Sequence, residues 1–382
     1  MKPVLSNFTT SARTNMDSEI NPNLLEFTLS GINVSVANSL RRTILTDIDT
    51  LVFLTENYVE NKCKIEINTC RLHNEIIKHR LSCIPIHYKI ADKKTTYNLV
   101  EDYLLELDVQ NDSDTIIFVT TGDFKIKNNK TGEYLPEDIS QRIFPKNILT
   151  DSYIDFVRLR PKIGDSIPGE RIKLTCEFSV GNCSINGMYN VVSKCSYQFS
   201  PDVAKQRKEW EKVEDKYKRE KMSDKDIIFQ KRNFELLDAE RCFLENSFDF
   251  VIETIGVYEN VEIIKKACSV LQNKFIQLVS DIDSNLIEII NSLNTAEYSF
   301  DIILEGHEYT VGKVIEFFLY EDYFIKDKVL SFVGFKKMHP HDTFSTIRMA
   351  FNDESDKNRV KQLFRAACVN SINVYTEIYS LL

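Results

Sequence analysis

The clearest pattern of hydrophobic and polar positions lies in residues 31–49. Val36, Leu40 and Ile44 recur every fourth residue among polar neighbours. Because an α-helix completes a turn about every 3.6 residues, this spacing places the apolar side chains on one face and predicts an amphipathic helix. Ser35 stands just before the series and is expected to cap the helix, since its hydroxyl can accept a hydrogen bond from a free amide of the first turn.

The same pattern returns near the end of the chain. Residues 27–44 and 302–319 align without a gap, and each predicts a strand, a glycine turn, a hydroxyl cap and an amphipathic helix. The matched pairs are Gly31 with Gly306, Ser35 with Thr310, Val36 with Val311, Leu40 with Ile315, and Ile44 with Leu319. A further strand and a long helix follow each copy. We expect two related units that face each other, because a helix pair with one exposed apolar face needs a second pair to cover it.

This repetition predicts an α+β fold in which two related units, each of antiparallel strands and packed helices, form an intrachain pseudo-dimer. Between residues 91 and 200 the sequence changes to short β-like runs separated by Gly, Asn, Asp and Pro, which predicts an inserted strand-rich domain. The predicted segments are a flexible N-terminus at 1–20, a first unit at 21–60 and 240–282, the inserted domain at 61–200, a charged helical segment at 201–239, a linker at 283–297 and a second unit at 298–382.

The composition narrows the class of protein. The 382 residues are 43% hydrophobic and carry a net charge of −9, and this acidic balance disfavours binding of nucleic acid over a broad surface. No apolar stretch is long enough to span a membrane and the N-terminus has no apolar signal core, so we expect a soluble chain that is not secreted. The nine cysteines are scattered and form no C-x-x-C pair, which predicts reduced core thiols and no structural zinc.

Two polar segments leave alternatives open. Residues 203–237 are dense in opposite charges spaced three and four apart, which favours a solvated helix, with docking of another subunit as the alternative. Lys125, Lys127 and Lys130 form a small basic cluster that fits either a solvated turn or a nucleic-acid contact. Neither segment by itself decides the function.

No motif predicts catalysis. The chain has no glycine-rich phosphate loop, no G-x-S-x-G elbow and no aspartate cluster of the kind that holds two metal ions for nucleotidyl transfer. His339, His341 and Asp342 come closest to a metal or general-base site, but Pro340 restrains the backbone between the histidines and no second acidic cluster accompanies them. We therefore predict no catalytic residue, no metal and no cofactor.

Several segments resemble one known family. Residues 33–48 resemble the helix signature of the alpha-like assembly subunits of multisubunit DNA-dependent RNA polymerases, and residues 74–86 resemble the motif that follows it. Residues 248–271 are similar to the family's closing strand and long dimerisation helix. Residues 304–319 and 329–351 look like the small eleventh subunit, which pairs with the third-largest subunit. The resemblance therefore implies two alpha-type dimerisation units on one chain, a fusion like that of large cytoplasmic DNA viruses.

The resemblance implies a function in DNA-templated transcription. The chain would be a non-catalytic assembly platform of a DNA-directed RNA polymerase, a nucleotidyltransferase complex, and would recruit the largest and second-largest subunits besides smaller ones. It would meet DNA and RNA only through the complex, would not bind membranes and would not form homodimers. A viral chain would reside in the virion and host cytoplasm, and a cellular one in the nucleus or cytosol. The alternative is a stand-alone interaction scaffold or nucleic-acid-binding module.

The resemblance also implies roles for individual residues. Four residues match family positions and are expected to contact a large catalytic subunit: Arg41, Arg42, His79 and Arg80. The alternative for Arg41 and Arg42 is that they are two solvated arginines bordering a core helix. The expected contacts of intrachain dimerisation are apolar: Val36, Leu40, Ile44, Ile264, Leu271, Phe275, Val311, Ile315, Phe318, Leu319, Leu363 and Phe364.

Overall fold

The computed structural model describes residues 1–10, 22–56, 58–90, 97–148, 150–164, 166–293 and 297–382. These residues form two compact units, which we call the major and the minor unit. The major unit consists of Met1–Ile44, Lys194–Glu253 and Asn260–Leu382. The minor unit consists of Leu45–Ser193 and Thr254–Glu259.

The helices and strands of the described residues are as follows. The α-helices are α1 (Val34–Thr46), α2 (Asn74–Ser82), α3 (Leu99–Asp102), α4 (Glu137–Ile143), α5 (Val203–Arg219), α6 (Asp224–Leu236), α7 (Asn260–Asp283), α8 (Tyr309–Leu319) and α9 (Lys357–Leu381). The strands are β1 (Val4–Thr10), β2 (Leu24–Ser30), β3 (Thr50–Val52), β4 (Cys63–Asn68), β5 (Tyr103–Gln110), β6 (Ile117–Thr120), β7 (Lys125–Asn128), β8 (Asp155–Leu159), β9 (Arg171–Glu177), β10 (Ser179–Gly181), β11 (Val192–Pro201), β12 (Phe243–Thr254), β13 (Ile289–Asn291), β14 (Ser299–Glu305), β15 (Leu330–Lys336) and β16 (Phe344–Phe351).

The major unit contains two four-stranded sheets with the same layout. Their strand orders are β1-β2-β12-β11 and β13-β14-β16-β15, and the central pairs β2–β12 and β14–β16 are antiparallel. In the first sheet Phe27 lies opposite Phe250, and the two rings stack with their centroids 5.1 Å apart. In the second sheet Ile302 lies opposite Ile347, and both are fully buried. Burial of such cross-strand pairs is what holds each sheet together.

Helices follow equivalent strands in the two sheets. In each sheet a helix follows the strand that is second in sheet order, α1 after β2 and α8 after β14. A long helix follows the strand that is third in sheet order, α7 after β12 and α9 after β16. We call the set β1, β2, α1, β11, β12 and α7 the N-terminal repeat, and the set β13, β14, α8, β15, β16 and α9 the C-terminal repeat. The glycine that ends β2, Gly31, has φ 75°, and the equivalent Gly306 has φ 68°. Both turns use a left-handed backbone that side-chain-bearing residues rarely adopt.

The minor unit is built on a four-stranded sheet of order β4-β9-β5-β7, with the strand pairs β3–β10 and β6–β8 beside it. Its core is rich in aromatic side chains. Phe53 packs against Phe178 at 5.3 Å between ring centroids, and Phe124 makes an edge contact with Phe156 at 5.5 Å. The helix α2 contributes Ile77 and Leu81 to the same core.

Two predicted boundaries of the N-terminal part are wrong. Residues Val4–Thr10 form strand β1, which pairs with β2, so this part of the predicted flexible terminus at 1–20 is ordered by sheet hydrogen bonds. Residues 11–20 lie outside the described residues. Residues 45–60, predicted to belong to the first dimerisation unit, lie in the minor unit because β3 pairs with β10.

Three further predicted segments differ from the structure. The inserted domain was expected to end at residue 200, but β11 joins the sheet of the N-terminal repeat. The expected linker at 283–297 contains strand β13, which pairs with β14, whereas residues 294–296 lie outside the described residues. The charged segment is not one solvated helix but two, α5 and α6, and Trp210 of α5 is buried with its ring 5.5 Å from that of Phe234 in α6.

Candidate assembly interface

The helix α1 begins two residues earlier than its hydrophobic pattern suggests. Asn33 is the capping residue, since its Oδ1 accepts a hydrogen bond from the backbone N–H of Ser35 at 2.8 Å. Ser35 itself lies inside the first turn, and so does the equivalent Thr310 of α8. The expectation that these hydroxyls cap the helices is therefore wrong. Asparagine before an apolar series is an N-terminal signal as strong as serine, and reading it at position 33 would have located the cap.

The predicted apolar dimerisation residues all lie in the major unit. Eleven of the twelve are buried, and Leu363 is half-buried. The buried members of α1 are Val36, Leu40 and Ile44, those of α7 are Ile264, Leu271 and Phe275, those of α8 are Val311, Ile315, Phe318 and Leu319, and that of α9 is Phe364. Full burial of one such side chain stabilises the fold by about 1.5–3 kcal/mol relative to exposure.

The two long helices, α7 and α9, pack against each other in opposite directions. The ring of Phe275 stacks on that of Tyr375 with centroids 6.0 Å apart. Towards one end Lys265 lies over the ring of Tyr379 at 5.6 Å. Towards the other end, the Nε of Arg365 lies 3.2 Å from a carboxylate oxygen of Asp283. Because residue numbers fall along α9 as they rise along α7, the helix pair is antiparallel.

Both long helices bury small side chains besides their aromatic ones. Ala267-Cys268 in α7 and Ala367-Cys368 in α9 are fully buried. Burial raises the pKa of the Cys268 thiol to about 12, so this thiol stays protonated at neutral pH. The stacked Phe275 and Tyr375 mark a point where α7 of the N-terminal repeat meets α9 of the C-terminal repeat.

Arg42 links α1 of the N-terminal repeat to the beginning of α8 in the C-terminal repeat. Its Nε donates a hydrogen bond to the Thr310 hydroxyl at 2.7 Å, and its Nη2 lies 3.4 Å from a carboxylate oxygen of Glu308. Lys337 also pairs with Glu308. The Arg42 side chain nevertheless remains 37% exposed, so part of its guanidinium group still faces solvent.

Arg41 is engaged differently from its neighbour. Its Nε and Nη2 donate hydrogen bonds to the Asn38 side-chain oxygen, at 3.1 Å and 2.9 Å, within the same helix. At the positions that align with Arg41 and Arg42, α8 carries Glu316 and Phe317. The arginine pair is therefore a feature of the N-terminal repeat alone. The C-terminal repeat forms the same strand, turn and helix without two adjacent cations at these positions.

His79 and Arg80 lie on α2 in the minor unit, and they differ in their contacts. Arg80 donates hydrogen bonds to the backbone carbonyls of Phe156, at 2.8 Å, and Asp155, at 2.7 Å, so it fastens α2 to β8. His79 is exposed, and its backbone carbonyl accepts hydrogen bonds from the residues that end the helix. Of the four predicted large-subunit contacts, Arg41 thus bonds within its own helix, and Arg42 and Arg80 bond to other elements of the chain, which sequence reasoning missed.

His307 stands next to this interface, in the turn between β14 and α8. Burial lowers the pKa of its imidazole, and the charge of Lys274 in α7 lowers it further, whereas Asp281 acts in the opposite direction. The backbone carbonyl of His307 accepts a hydrogen bond from the Ser345 hydroxyl at 2.8 Å. The folded state therefore favours the neutral form of His307.

Two features were sought in the parts of the chain that the structure describes: clusters of metal-ligand side chains and helices of membrane-spanning length. Nowhere in those ranges do three or more His, Cys, Asp or Glu side chains gather as metal ligands would. His339 and His341 approach each other, with 5.1 Å between ring centroids, but Asp342 bonds to the backbone N–H of His339 instead of completing a ligand set. Among the described helices, none has the length and apolar character needed to cross a bilayer.

Comparison with known proteins places this geometry in a family. A family model described as the RNA polymerase Rpb3/Rpb11 dimerisation domain matches residues 26–275, from β2 into α7. A conjugation stage-specific protein of Tetrahymena thermophila is 28% identical over 189 residues, which make up 47% of this chain and 56% of that protein. The chain is also similar to the rpac1 subunit of DNA-directed RNA polymerases I and III of Dictyostelium discoideum, at 25% identity over 52% of this chain and 56% of that subunit. DNA-directed RNA polymerase subunit Rpo3 of Picrophilus torridus is 24% identical over 69% of this chain and 97% of that subunit.

The fold and the comparisons together define the class. The chain is a mixed α+β protein with antiparallel sheets, and its helices α1 and α7 carry the buried apolar faces described above. It belongs to the RNA polymerase Rpb3/Rpb11 dimerisation domain family, whose model covers more than half of its residues. The match to the family model ends at residue 275, before the C-terminal repeat begins. The alignments with the Tetrahymena and Dictyostelium relatives span about half the length of those proteins.

Proposed function

We propose that this chain is a non-catalytic assembly subunit of a multisubunit DNA-directed RNA polymerase. The observation that carries the proposal is the pairing of two repeats of the same strand order through the antiparallel helices α7 and α9, in a chain of the Rpb3/Rpb11 dimerisation family. Several relatives, rpac1 and Rpo3 among them, are named as subunits of DNA-directed RNA polymerases. A rigid helix platform of this kind serves recruitment, because its outward side chains are held in fixed positions.

The two repeats act as an intrachain pseudo-dimer in this proposal. The N-terminal repeat takes the part of the third-largest subunit and the C-terminal repeat that of the eleventh, as in the fused subunits of large cytoplasmic DNA viruses. The minor unit is then a domain inserted into the N-terminal repeat. Covalent linkage raises the effective concentration of one repeat near the other to about the millimolar range, so pairing does not depend on dilution of separate subunits.

The partners follow from this arrangement. The two large catalytic subunits bind the platform, with Arg41, Arg42 and His79 as exposed or half-exposed contacts, and smaller subunits bind elsewhere. DNA and RNA reach the chain only within the complex. We expect no homodimer, because the two repeats pair with each other. A viral source would place the protein in the virion and the host cytoplasm, and a cellular source in the nucleus or cytosol.

Co-expression with the two large polymerase subunits of the same source tests the proposal. The chain should co-purify with both, and template-dependent RNA synthesis should require the complex and be absent from the chain alone. Arg41→Ala with Arg42→Ala should reduce co-purification, while Arg207→Ala with Arg219→Ala, which removes the same charge from α5, should not. Synthesis by the isolated chain, or failure of the unmodified chain to bind either subunit, would overturn the proposal.

A further inference from the structure

One face of the strand pair β6–β8 in the minor unit is unusually apolar for a surface. On the inner face Val119, Val157 and Leu159 are buried in the core. On the outer face Phe118 is 51% exposed, and Ile116, just before β6, is 56% exposed. The outer face of an antiparallel strand pair ordinarily carries polar side chains, because water covers it. Large exposed apolar residues grouped on such a face are typical of an interaction surface.

The loop that follows β8 extends this apolar surface into a cleft. Ile163 and Ile167 are joined by a backbone hydrogen bond of 3.0 Å, and their side chains are 67% and 55% exposed. Together with Ile116 they line an open cleft of about 870 Å³. We call it the β8 cleft, and its remaining apolar lining includes Leu72, Pro161 and Pro168.

The rim of the β8 cleft is positively charged, although the whole chain carries a net charge of −9. Its described lining contains four arginines but only two carboxylates. The arginines are Arg71, Arg80, Arg158 and Arg160, and the carboxylates are Asp155 and Glu170. Arg160 and Glu170 neutralise each other, since the Arg160 guanidinium lies 2.5 Å from the Glu170 carboxylate, and this leaves three arginines and one carboxylate.

Arg158 is the best-placed of these cations to meet a ligand. Its guanidinium lies over the ring of Phe118, 4.6 Å from the ring centroid. This cation–π contact restrains a side chain that would otherwise sample many rotamers, so less entropy is lost when it binds a partner. The fork of guanidinium donors matches the two oxygens of a carboxylate.

We propose that the β8 cleft binds a segment of a partner protein in which carboxylate side chains flank apolar ones. Isoleucines would receive the apolar side chains and the arginine rim the carboxylates, and arginine next to aromatic and apolar residues is the composition of protein interfaces. A single nucleic-acid strand fits less well, because it needs open aromatic faces for stacking and Arg158 covers Phe118. The inference rests on the minor unit alone and does not depend on the proposed function.

Fluorescence anisotropy with the full-length chain tests this inference. The probe is a short fluorescein-labelled peptide of alternating leucine and aspartate. We expect it to bind at least about tenfold more tightly than peptides of alternating leucine and lysine or serine and aspartate, since only the first offers both features. Equal binding of the three peptides, no binding of the first, or its displacement by an equal concentration of oligothymidylate would overturn the inference.

Single-residue variants test whether the leucine–aspartate peptide binds in the β8 cleft. Arg158→Glu and, separately, Ile167→Ser should each weaken binding of the leucine–aspartate peptide about tenfold. Arg142→Glu is the matched control, because it makes the same charge change on α4 at a side chain that is 80% exposed and outside the cleft. Thermal melting by circular dichroism checks that each variant is folded, and if Arg158→Glu is not, Ile167→Ser alone decides. A folded variant that binds as well as the unmodified chain would place the peptide elsewhere and contradict the inference.

Discussion

At the scale of single residues, Arg42 has two roles that compete for one guanidinium group. It contacts Thr310 and Glu308 within the chain, and it is also a proposed contact for a large polymerase subunit. Its side chain and that of Glu308 are 37% and 49% exposed, so solvent screens their attraction. The intrachain pair is therefore weak enough to rearrange when a partner binds.

Arg42→Ala should lower the free energy of unfolding by no more than about 1 kcal/mol, because exposed ion pairs contribute little. A double-mutant cycle with Glu308→Ala, measured by urea unfolding, should give a coupling energy of about 0.2–1 kcal/mol that decreases at high salt. A coupling above about 3 kcal/mol, unchanged by salt, would instead indicate a desolvated structural pair.

His307 should make stability sensitive to acid. Its pKa is lowered in the folded state by burial and by Lys274, so near and below the ordinary pKa of histidine the unfolded chain binds more protons than the folded one. Stability is then lost as pH falls through that range and regained as pH rises towards neutrality. Thermal unfolding between pH 5 and 7.5 should therefore depend less steeply on pH in His307→Gln. His79→Gln, at an exposed position on α2, is the control and should retain the slope of the unmodified chain.

At the scale of elements, the two repeats use the same strand, turn and helix but surround them differently. Both turns need a glycine with positive φ, at Gly31 and Gly306. A Cβ added to Gly31 would lie 2.2 Å from the backbone oxygen of Lys2, two residues before β1, whereas a Cβ added to Gly306 meets no atom within 4 Å. Strand β1 thus closes over the first turn, and the second turn stays open.

The two turns permit a matched experiment. Gly306→Ala should cost about 1–2 kcal/mol of unfolding free energy, the penalty for a side chain in the left-handed region. Gly31→Ala should cost distinctly more, because β1 must also shift to relieve the overlap with Lys2. Urea unfolding of the two variants gives the comparison. Equal losses of unfolding free energy would show that β1 can shift without an added cost.

At the scale of the whole molecule, the central feature is the antiparallel packing of α7 on α9. It buries side chains of both repeats, including Cys268 and Phe275 of α7 and Cys368 and Tyr375 of α9. If the repeats were separated, each would expose a continuous apolar helix face to water. Such faces are typical of association or aggregation.

A chain divided between Leu286 and Ile287 tests this dependence, since the cut leaves α7 and strand β13 intact. Each fragment expressed alone should be insoluble, and the two expressed together should form a soluble one-to-one complex. Unfolding of that complex should depend on protein concentration, unlike unfolding of the intact chain. Fragments that are separately soluble and monomeric, and that melt cooperatively, would show that the repeats are merely linked domains.

Much of the local structure could be predicted from the sequence. The apolar series Val36, Leu40 and Ile44 lies on a buried helix face, and the repeated turn glycines both adopt positive φ. Apart from the helix caps, the predictions that were wrong concern pairing between distant segments. Strand β3 pairs with β10 in the minor unit, and β11 joins a sheet of the major unit.

The sequence by itself determined the elements, the internal repeat and the family, because helical period, turn glycines and capping residues act over a few neighbouring positions. Only the tertiary structure decided which arginine contacts the C-terminal repeat and which cleft faces solvent. Arg42 meets Thr310 across a separation of 268 residues, and the β8 cleft gathers side chains from α2, β8 and three loops. Such contacts depend on how the strands pair and the helices pack, and no local window of the sequence contains that information.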